Sequence, residues 1–324
     1  MVGEKSNLQM VLEAGIFSIT AEIGPPMSAD ASVIIKKANS LRGFVDAANI
    51  TDNQTAIVRM SSIAASYLSL TNGIEPIVQM TCRDRNRIAI QSDLLGAYAL
   101  GLRNLLCLSG DHQKFGNHPQ SKNVYDIDSI QLIAALKALR DENVFIGGGK
   151  CKAPPKLFLG ATVNPFADPE ALQLIRLQKK IAAGARFIQT QAIYDVDRFE
   201  KWMEGVRRLE LHKKAYILAG ILVNKSLKSI NMTSQVAGMF VPEAVIKRMA
   251  EANNCEEEGV KIALESINRL RNIEGVSGVH IMAVGWESIV PTLAEKAGFL
   301  PRPDFQANMA LGIPVVTSEN GGVK

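Results

Sequence analysis

The chain of 324 residues carries only four cysteines and four histidines, and none of them falls into a metal-binding or redox spacing. Cys82, Cys107, Cys151 and Cys255 form no C-x-x-C pair, and His112, His118, His212 and His280 give no H-x-x-H or H-E-x-x-H. That excludes the common zinc and thiol–disulfide motifs, so no metal is expected. Two of the cysteines sit in strand-like runs and read as small core residues. Long apolar runs are also missing, which excludes a membrane-spanning helix. The first residues, Met1-Val-Gly-Glu-Lys-Ser-Asn, hold no apolar signal region, so the protein is expected in a reducing cytoplasm. Neither sign of charge dominates: 36 basic against 32 acidic residues leave +4. Aromatics are scarce at 6%, and none interleave with the basic pairs Lys179-Lys180, Arg207-Arg208 and Lys213-Lys214. Nucleic-acid binding therefore has little support, whereas an anionic small molecule fits the balance. The turn after the first apolar run reads Ile23-Gly-Pro-Pro-Met-Ser rather than G-x-G-x-x-G, which weakens a dinucleotide-binding fold.

What is present is a long alternation. Short apolar, β-branched runs at 16–22, 44–51, 75–82, 104–109, 158–164, 187–193, 215–223 and 278–284 read as strands. Amphipathic stretches at 29–42, 55–70, 85–101, 126–141, 169–183, 197–210, 243–252, 256–273 and 287–297 read as helices. With 47% apolar residues the chain can bury a large core. A doubly wound sheet shares this alternation, but strand–helix repetition over this length favours a (β/α)₈ TIM barrel. Residues 1–300 are expected to form that barrel, and 301–324 a C-terminal tail or lid. The glycine cluster Gly147-Gly148-Gly149 lies between a helix and a strand and reads as a flexible connection, not a phosphate loop.

In such a barrel the chemistry gathers where the strands end. Glu22 closes the run Ile16–Glu22 just before Gly24-Pro25-Pro26, and Asp111 follows the run Leu105–Ser109. Other strand-end residues are Thr51-Asp52-Asn53, Gln79 to Cys82, Ser109-Gly110, Asn164-Pro165, Gln189-Thr190-Gln191, Val223-Asn224 and Gly285-Trp286. Each has a plainer reading. Acids there also form turns or cap helices, amides tie loops, and Lys180 on a helix reads as a solvated residue. Their joint placement is what matters. Without a nucleophilic Ser or Cys beside a histidine, acyl transfer is disfavoured. An amide-rich rim with two acids suits a flat, hydrogen-bonding heterocycle.

These residues resemble the methylenetetrahydrofolate reductase family of flavin-containing (β/α)₈ barrels over about residues 16–225. The blocks that carry the likeness are Glu22 with Pro25-Pro26, Asn49-Ile-Thr51, Met80 to Ala97, Leu102 to Asp111, Tyr125-Asp-Ile-Asp-Ser129 and Ala183 to Gln191. The resemblance implies reduction of 5,10-methylenetetrahydrofolate to 5-methyltetrahydrofolate by hydride from a reduced flavin. The one-carbon bridge must first open to an iminium ion, which requires a proton on the departing nitrogen. Glu22 matches the family's acid for that step, and a carboxylic acid held beside a buried site suits it. Asp111 matches the aspartate near flavin and pterin; two acceptor oxygens fit an amino-pyrimidine edge. Gln191 matches a substrate contact. Thr51, Gln79, Ser109, Gly110, Tyr125 and Lys180 fall at flavin-contacting positions.

The sequence also departs from that pattern. Gln79 stands where some relatives carry histidine, Ser109 where some carry arginine, and Gln173 where some carry an acid. FAD is the expected cofactor, with FMN as the alternative. Leu227 lies where some members place a ring that stacks on substrate, and Val284-Gly285-Trp286 replaces the usual Leu-Asn-Arg. Because these changes concentrate where a reductant would be recognised, electrons are expected from a partner subunit, within an oligomer or hetero-complex. Two alternatives stay open: a related tetrahydropterin one-carbon oxidoreductase, and a non-catalytic flavin- or folate-binding subunit.

Overall fold

The structure, a computed structural model, describes residues 4–236 and 238–305. Eight parallel strands close a barrel in sequence order. They are β1 (Ser18–Ile23), β2 (Ala47–Ile50), β3 (Pro76–Thr81), β4 (Asn104–Leu108), β5 (Phe158–Val163), β6 (Phe187–Ala192), β7 (Tyr216–Leu222) and β8 (Val276–Met282). The helices are α1 (Asn7–Glu13), α2 (Ala31–Leu41), α3 (Ser62–Thr71), α4 (Arg87–Ala99), α5 (Ser129–Glu142) and α6 (Glu170–Ala183). They continue as α7 (Val196–Arg208), α8 (Leu227–Ser234), α9 (Glu243–Glu251), α10 (Cys255–Leu270) and α11 (Val290–Lys296). No helix among the described residues is long and apolar enough to cross a membrane.

Local chemistry starts the helices. Asp30 accepts from Ser32 N, Asn86 from Ile88 N and Ala89 N, and Asp128 forms a capping box with Gln131. These caps lie just beyond the strand ends, so each loop leaves the mouth of the barrel on a fixed path. Period-two alternation does the rest. Outward residues such as Ile19, Ala21, Ile23, Val78, Met80, Ile188 and Ile281 pack on Ile34, Leu94, Leu132, Leu177, Phe199 and Ile267 of the helices.

The barrel interior is filled in layers. At the floor Leu8 and Leu12 of α1 plug the barrel against Ile77, Leu106, Phe158, Phe187 and Leu218. Phe187 stacks on Phe158 with ring centroids 5.1 Å apart. It fits because Gly160 has no side chain: a Cβ there would lie 2.1 Å from Phe187 Cζ. Two buried acids tie α1 and the segment around Arg302 to this floor. Glu75 accepts from Asn7 N (2.6 Å) and Leu8 N (2.9 Å), and burial pushes its carboxyl up to about 7. Asp46 accepts from Ile19 N (2.8 Å) and from Arg302 Nη2 (2.6 Å) and Nε (2.9 Å). Residues 301–305 thus lie against the floor; the rest of the expected tail or lid, 306–324, falls outside the described residues.

Four elements differ from the sequence reading. The expected helix 55–70 is a single turn at Gln54–Ala56 followed by α3, because Asn53, Thr55 and Ala56 all adopt positive φ (47°, 56° and 57°). The last strand runs from Val276 to Met282, two residues earlier than read. Helices α1 and α8 were not expected, being short and held by caps at Ser6 and Ser226.

Candidate active site

At the mouth, inward-facing residues of neighbouring strands wall a cavity of about 390 Å³. Glu22 comes from β1, Asn49 from β2, Gln79 and Thr81 from β3, Thr162 from β5, Gln189 and Gln191 from β6, and His280 with Met282 from β8. The loop after β4 adds Ser109, Gly110 and Asp111, and α6 adds Arg176 and Lys180. Seven of the expected residues therefore meet in one place: Glu22, Gln79, Ser109, Gly110, Asp111, Lys180 and Gln191. A volume of this size suits a small heterocycle.

Glu22 is mostly enclosed, its side chain 12% exposed. One oxygen lies 3.5 Å from Gln54 Nε2 and the other 3.9 Å from His280 Nε2. A second recess of about 240 Å³ opens from Glu22 towards Arg59 and the ion pair Lys37–Glu287 (2.6 Å).

Asp111 is held from the neighbouring loops. Its Oδ2 accepts from Thr55 N (3.0 Å), and its carbonyl accepts from Arg83 Nη1 (3.0 Å). Buried Arg83 also donates to the Asn53 carbonyl (3.2 Å) and pairs with Asp84 (2.7 Å). One guanidinium thus joins the loops that follow β2, β3 and β4. Asp52 supports the same corner, accepting from Thr81 N and Oγ1 and from Arg85. Gly110 sits at φ 90°, and a Cβ there would stand 3.0 Å from Thr81 Cβ and 3.1 Å from Arg83 Cβ. Both facts require glycine at this bend. Tyr125 donates to the Gly110 carbonyl (3.2 Å) from the rim and does not wall the cavity.

Lys180, expected at a flavin-contacting position, is not the solvated helix residue of the plainer reading. It is 8% exposed, and its Nζ donates to the Thr162 carbonyl (2.7 Å) inside the cavity. Burial pulls its amine down to about 8. Ser109 Oγ donates to Ser129 Oγ at 3.2 Å. Thr51 is buried next to Asp52, and its hydroxyl has no partner. Leu227 lies elsewhere, packed on Ile230, Met249 and Ile262 in a satellite cluster. Trp286 packs against the main core.

Sequence reasoning did not single out His280, Arg83 or Arg176 for the site. His280 shares the inward parity of Met282, a signal visible once the strand is placed correctly. For Arg83 there was no such signal, because its acceptors are carbonyls supplied by two other loops.

Comparison with known proteins gives the family. A family model described as methylenetetrahydrofolate reductase matches residues 7–298. Methylenetetrahydrofolate reductase 2 of Saccharomyces cerevisiae is 26% identical over 253 residues, 75% of this chain and 40% of that protein. The chain thus spans less than half of the yeast relative. It is also similar to 5,10-methylenetetrahydrofolate reductase of Pectobacterium carotovorum, 23% identical over 306 residues, 92% of this chain and 96% of the bacterial protein. Among solved structures, an uncharacterized protein from Clostridium thermocellum that binds two copies of 5-methyl-5,6,7,8-tetrahydrofolic acid shares the fold. Its TM-score is 0.65 at 15% identity, covering 91% of this chain and 100% of the other. The chain belongs to the methylenetetrahydrofolate reductase family.

Proposed function

We propose that this protein reduces 5,10-methylenetetrahydrofolate to 5-methyltetrahydrofolate with a bound flavin, FAD in preference to FMN. The observation that carries the reading is the meeting of Glu22, Asp111 and Gln191 on the wall of one polar cavity. Family membership and the folate bound by the Clostridium thermocellum neighbour support it.

A flavin in this cavity would supply the hydride. The residues present fit such a group: Gln79 and Ser109 offer polar atoms to a flat ring, and Lys180 a buried cation. Glu22 gives its proton to the nitrogen that leaves the one-carbon bridge, opening the ring to an iminium ion. Its enclosure keeps water from competing for that proton. Asp111 accepts from the amino-pyrimidine edge of the pterin, taking in place of Thr55 N a pair of ligand N–H donors. Gln191, exposed at the rim, fixes the other side of the ligand.

The proposed reductant is a partner protein, so that the chain works in a hetero-complex in the cytoplasm. Leu227 places no ring near the cavity, and apolar Met27, Phe115 and Val284 on loops, with Met232 on α8, stand exposed in the segments that follow strand ends.

Two measurements test the proposal. The purified protein should show a flavin spectrum that bleaches anaerobically with 5-methyltetrahydrofolate and not with NADH. Bleaching by NADH at a comparable rate would remove the partner protein as donor, and absence of flavin after reconstitution would remove the reductase reading. Glu22→Gln should keep fold and flavin while folate reduction falls by about 10²–10⁴-fold; near-normal turnover would strip Glu22 of its role.

A further inference from the structure

Directly beneath Glu22, four polar side chains cross the barrel interior where the layer below is apolar. Thr20, Asn49, Gln189 and His280 are 0, 1, 2 and 4% exposed. Burying such groups is costly unless they are satisfied and oriented. Here they are. Asn49 and Gln189 pair amide to amide: Asn49 Nδ2 donates to Gln189 Oε1 (2.7 Å), and Gln189 Nε2 donates back to Asn49 Oδ1 (3.1 Å). Gln189 Nε2 also reaches Thr20 Oγ1 (3.3 Å), and that oxygen lies 3.0 Å from His280 Nδ1.

The chain ends at His280, whose tautomer turns on where the Thr20 hydrogen goes. Because the Thr20 oxygen already accepts from Gln189, its own hydrogen is free for His280 Nδ1 or for the Val279 carbonyl at 3.4 Å. The 3.0 Å contact is the better one. With the Thr20 hydroxyl donating to Nδ1, the imidazole carries its proton on Nε2, the atom 3.9 Å from Glu22 Oε2.

We propose that His280 is a positioning residue for Glu22, holding an N–H towards the carboxyl so that the charge left by proton donation is stabilised. The inference rests on the reading of Glu22 as proton donor. At 3.9 Å the contact is too long for a hydrogen bond with the resting acid. It gains strength as the carboxylate forms, which is where stabilisation accelerates a step. Among the titratable residues that wall the two cavities, only His280 comes within 4 Å of the Glu22 carboxylate as a basic partner. Lys37, Arg59 and Glu287 wall the smaller recess, and Asp52, Arg83, Asp111, Arg176 and Lys180 the larger cavity.

The test compares two reactions of the reduced flavoprotein across pH by anaerobic stopped flow. Oxidation by methylenetetrahydrofolate needs the proton from Glu22; oxidation by a quinone dye does not. His280→Phe should slow the folate reaction about 10–100-fold and move its alkaline limb up by about one pH unit. Dye oxidation and flavin content should stay unchanged. His280→Gln, which keeps an N–H donor, should recover most of the rate. Thr20→Val should slow the folate reaction by releasing the imidazole proton from Nε2. Independently of activity, the ¹³C signal of the Glu22 carboxyl should titrate at higher pH in His280→Phe than in the parent protein.

A wild-type folate rate and alkaline limb in both His280 variants would overturn the proposal, as would an equal loss of dye oxidation. If Glu22→Gln retains folate turnover, the underlying reading of Glu22 fails instead. Should His280→Phe not fold, the His280→Gln and Thr20→Val profiles decide.

Discussion

Replacing Lys180 by methionine should make the protein more stable and a poorer flavin binder. The amine is buried under α6 with one hydrogen bond, to the Thr162 carbonyl at 2.7 Å, and its titration falls from 10.5 to about 8. At about 1.4 kcal/mol per pH unit, that drop is about 3 kcal/mol of folding energy set against the charged form. The sign follows from proton counting. Between pH 8 and 10.5 the unfolded chain holds the proton and the folded one releases it, so stability rises with pH across that window. Below pH 8 the amine is charged in both states and the folded protein carries the whole cost. Methionine keeps the stem's volume and removes the charge, at the loss of one hydrogen bond of about 1 kcal/mol. At pH 7 Lys180→Met should therefore be about 2 kcal/mol more stable than the parent, and the gap should close as pH rises towards 10. Urea unfolding of the flavin-free proteins at pH 7, 8, 9 and 10 measures both quantities, the difference between the two cancelling other titrations. A variant less stable than the parent at pH 7, or a gap independent of pH, would refute the reasoning. A residue retained at a cost in stability is one kept for binding, and the variant should lose flavin affinity accordingly.

Two further outcomes follow from the floor of the barrel. Gly160→Ala drives a methyl group to within 2.1 Å of Phe187 Cζ and should cost about 3 kcal/mol or more, read as a fall in thermal midpoint. Adding Phe187→Leu should restore part of it, and a double variant no better than the single one would dismiss the clash. Arg302→Met leaves the Asp46 carboxylate buried without its partner and should cost about 3–5 kcal/mol in urea unfolding; Asp46→Asn in the same chain should return some of that, and its failure to do so would place the loss elsewhere.

The barrel was legible because its cause is local. Alternating β-branched runs and capped amphipathic stretches recur along the chain, and each repeat carries its own signal. Glu22 and Asp111 were legible for the same reason, as acids that close apolar runs. What escaped the sequence depends on partners far along the chain. Arg83 lies in the run Arg83-Asp84-Arg85-Asn86-Arg87, where any arginine could face solvent. It is buried because Asn53 and Asp111 bring their carbonyls to it. Helix α1, only seven residues long, is too short to stand alone and persists because Glu75 holds its first amides. The left-handed Thr55 has no sequence signal at all, since β-branched residues avoid that region; the carboxylate of Asp111 grips its amide. His280 was missed because its strand was read two residues past its end at Met282, which put Gly285-Trp286 at the mouth and His280, opposite Thr20 in the β1–β8 pairing, too deep in the barrel.

The way the floor is closed has a consequence for how the molecule can be rebuilt. Asn7 donates to the Pro303 carbonyl (3.2 Å) and accepts from Phe305 N (2.9 Å), so the first helix and the last described turn are stitched by one side chain. The described residues nearly close a ring there. A short linker from the region of Phe305 to that of Asn7, with new termini cut at Gly147-Gly148-Gly149, would yield a circular permutant in which every cavity-lining residue keeps its strand. For the same reason, cargo fused after Phe305 would hang from the face opposite the cavity and leave the mouth clear.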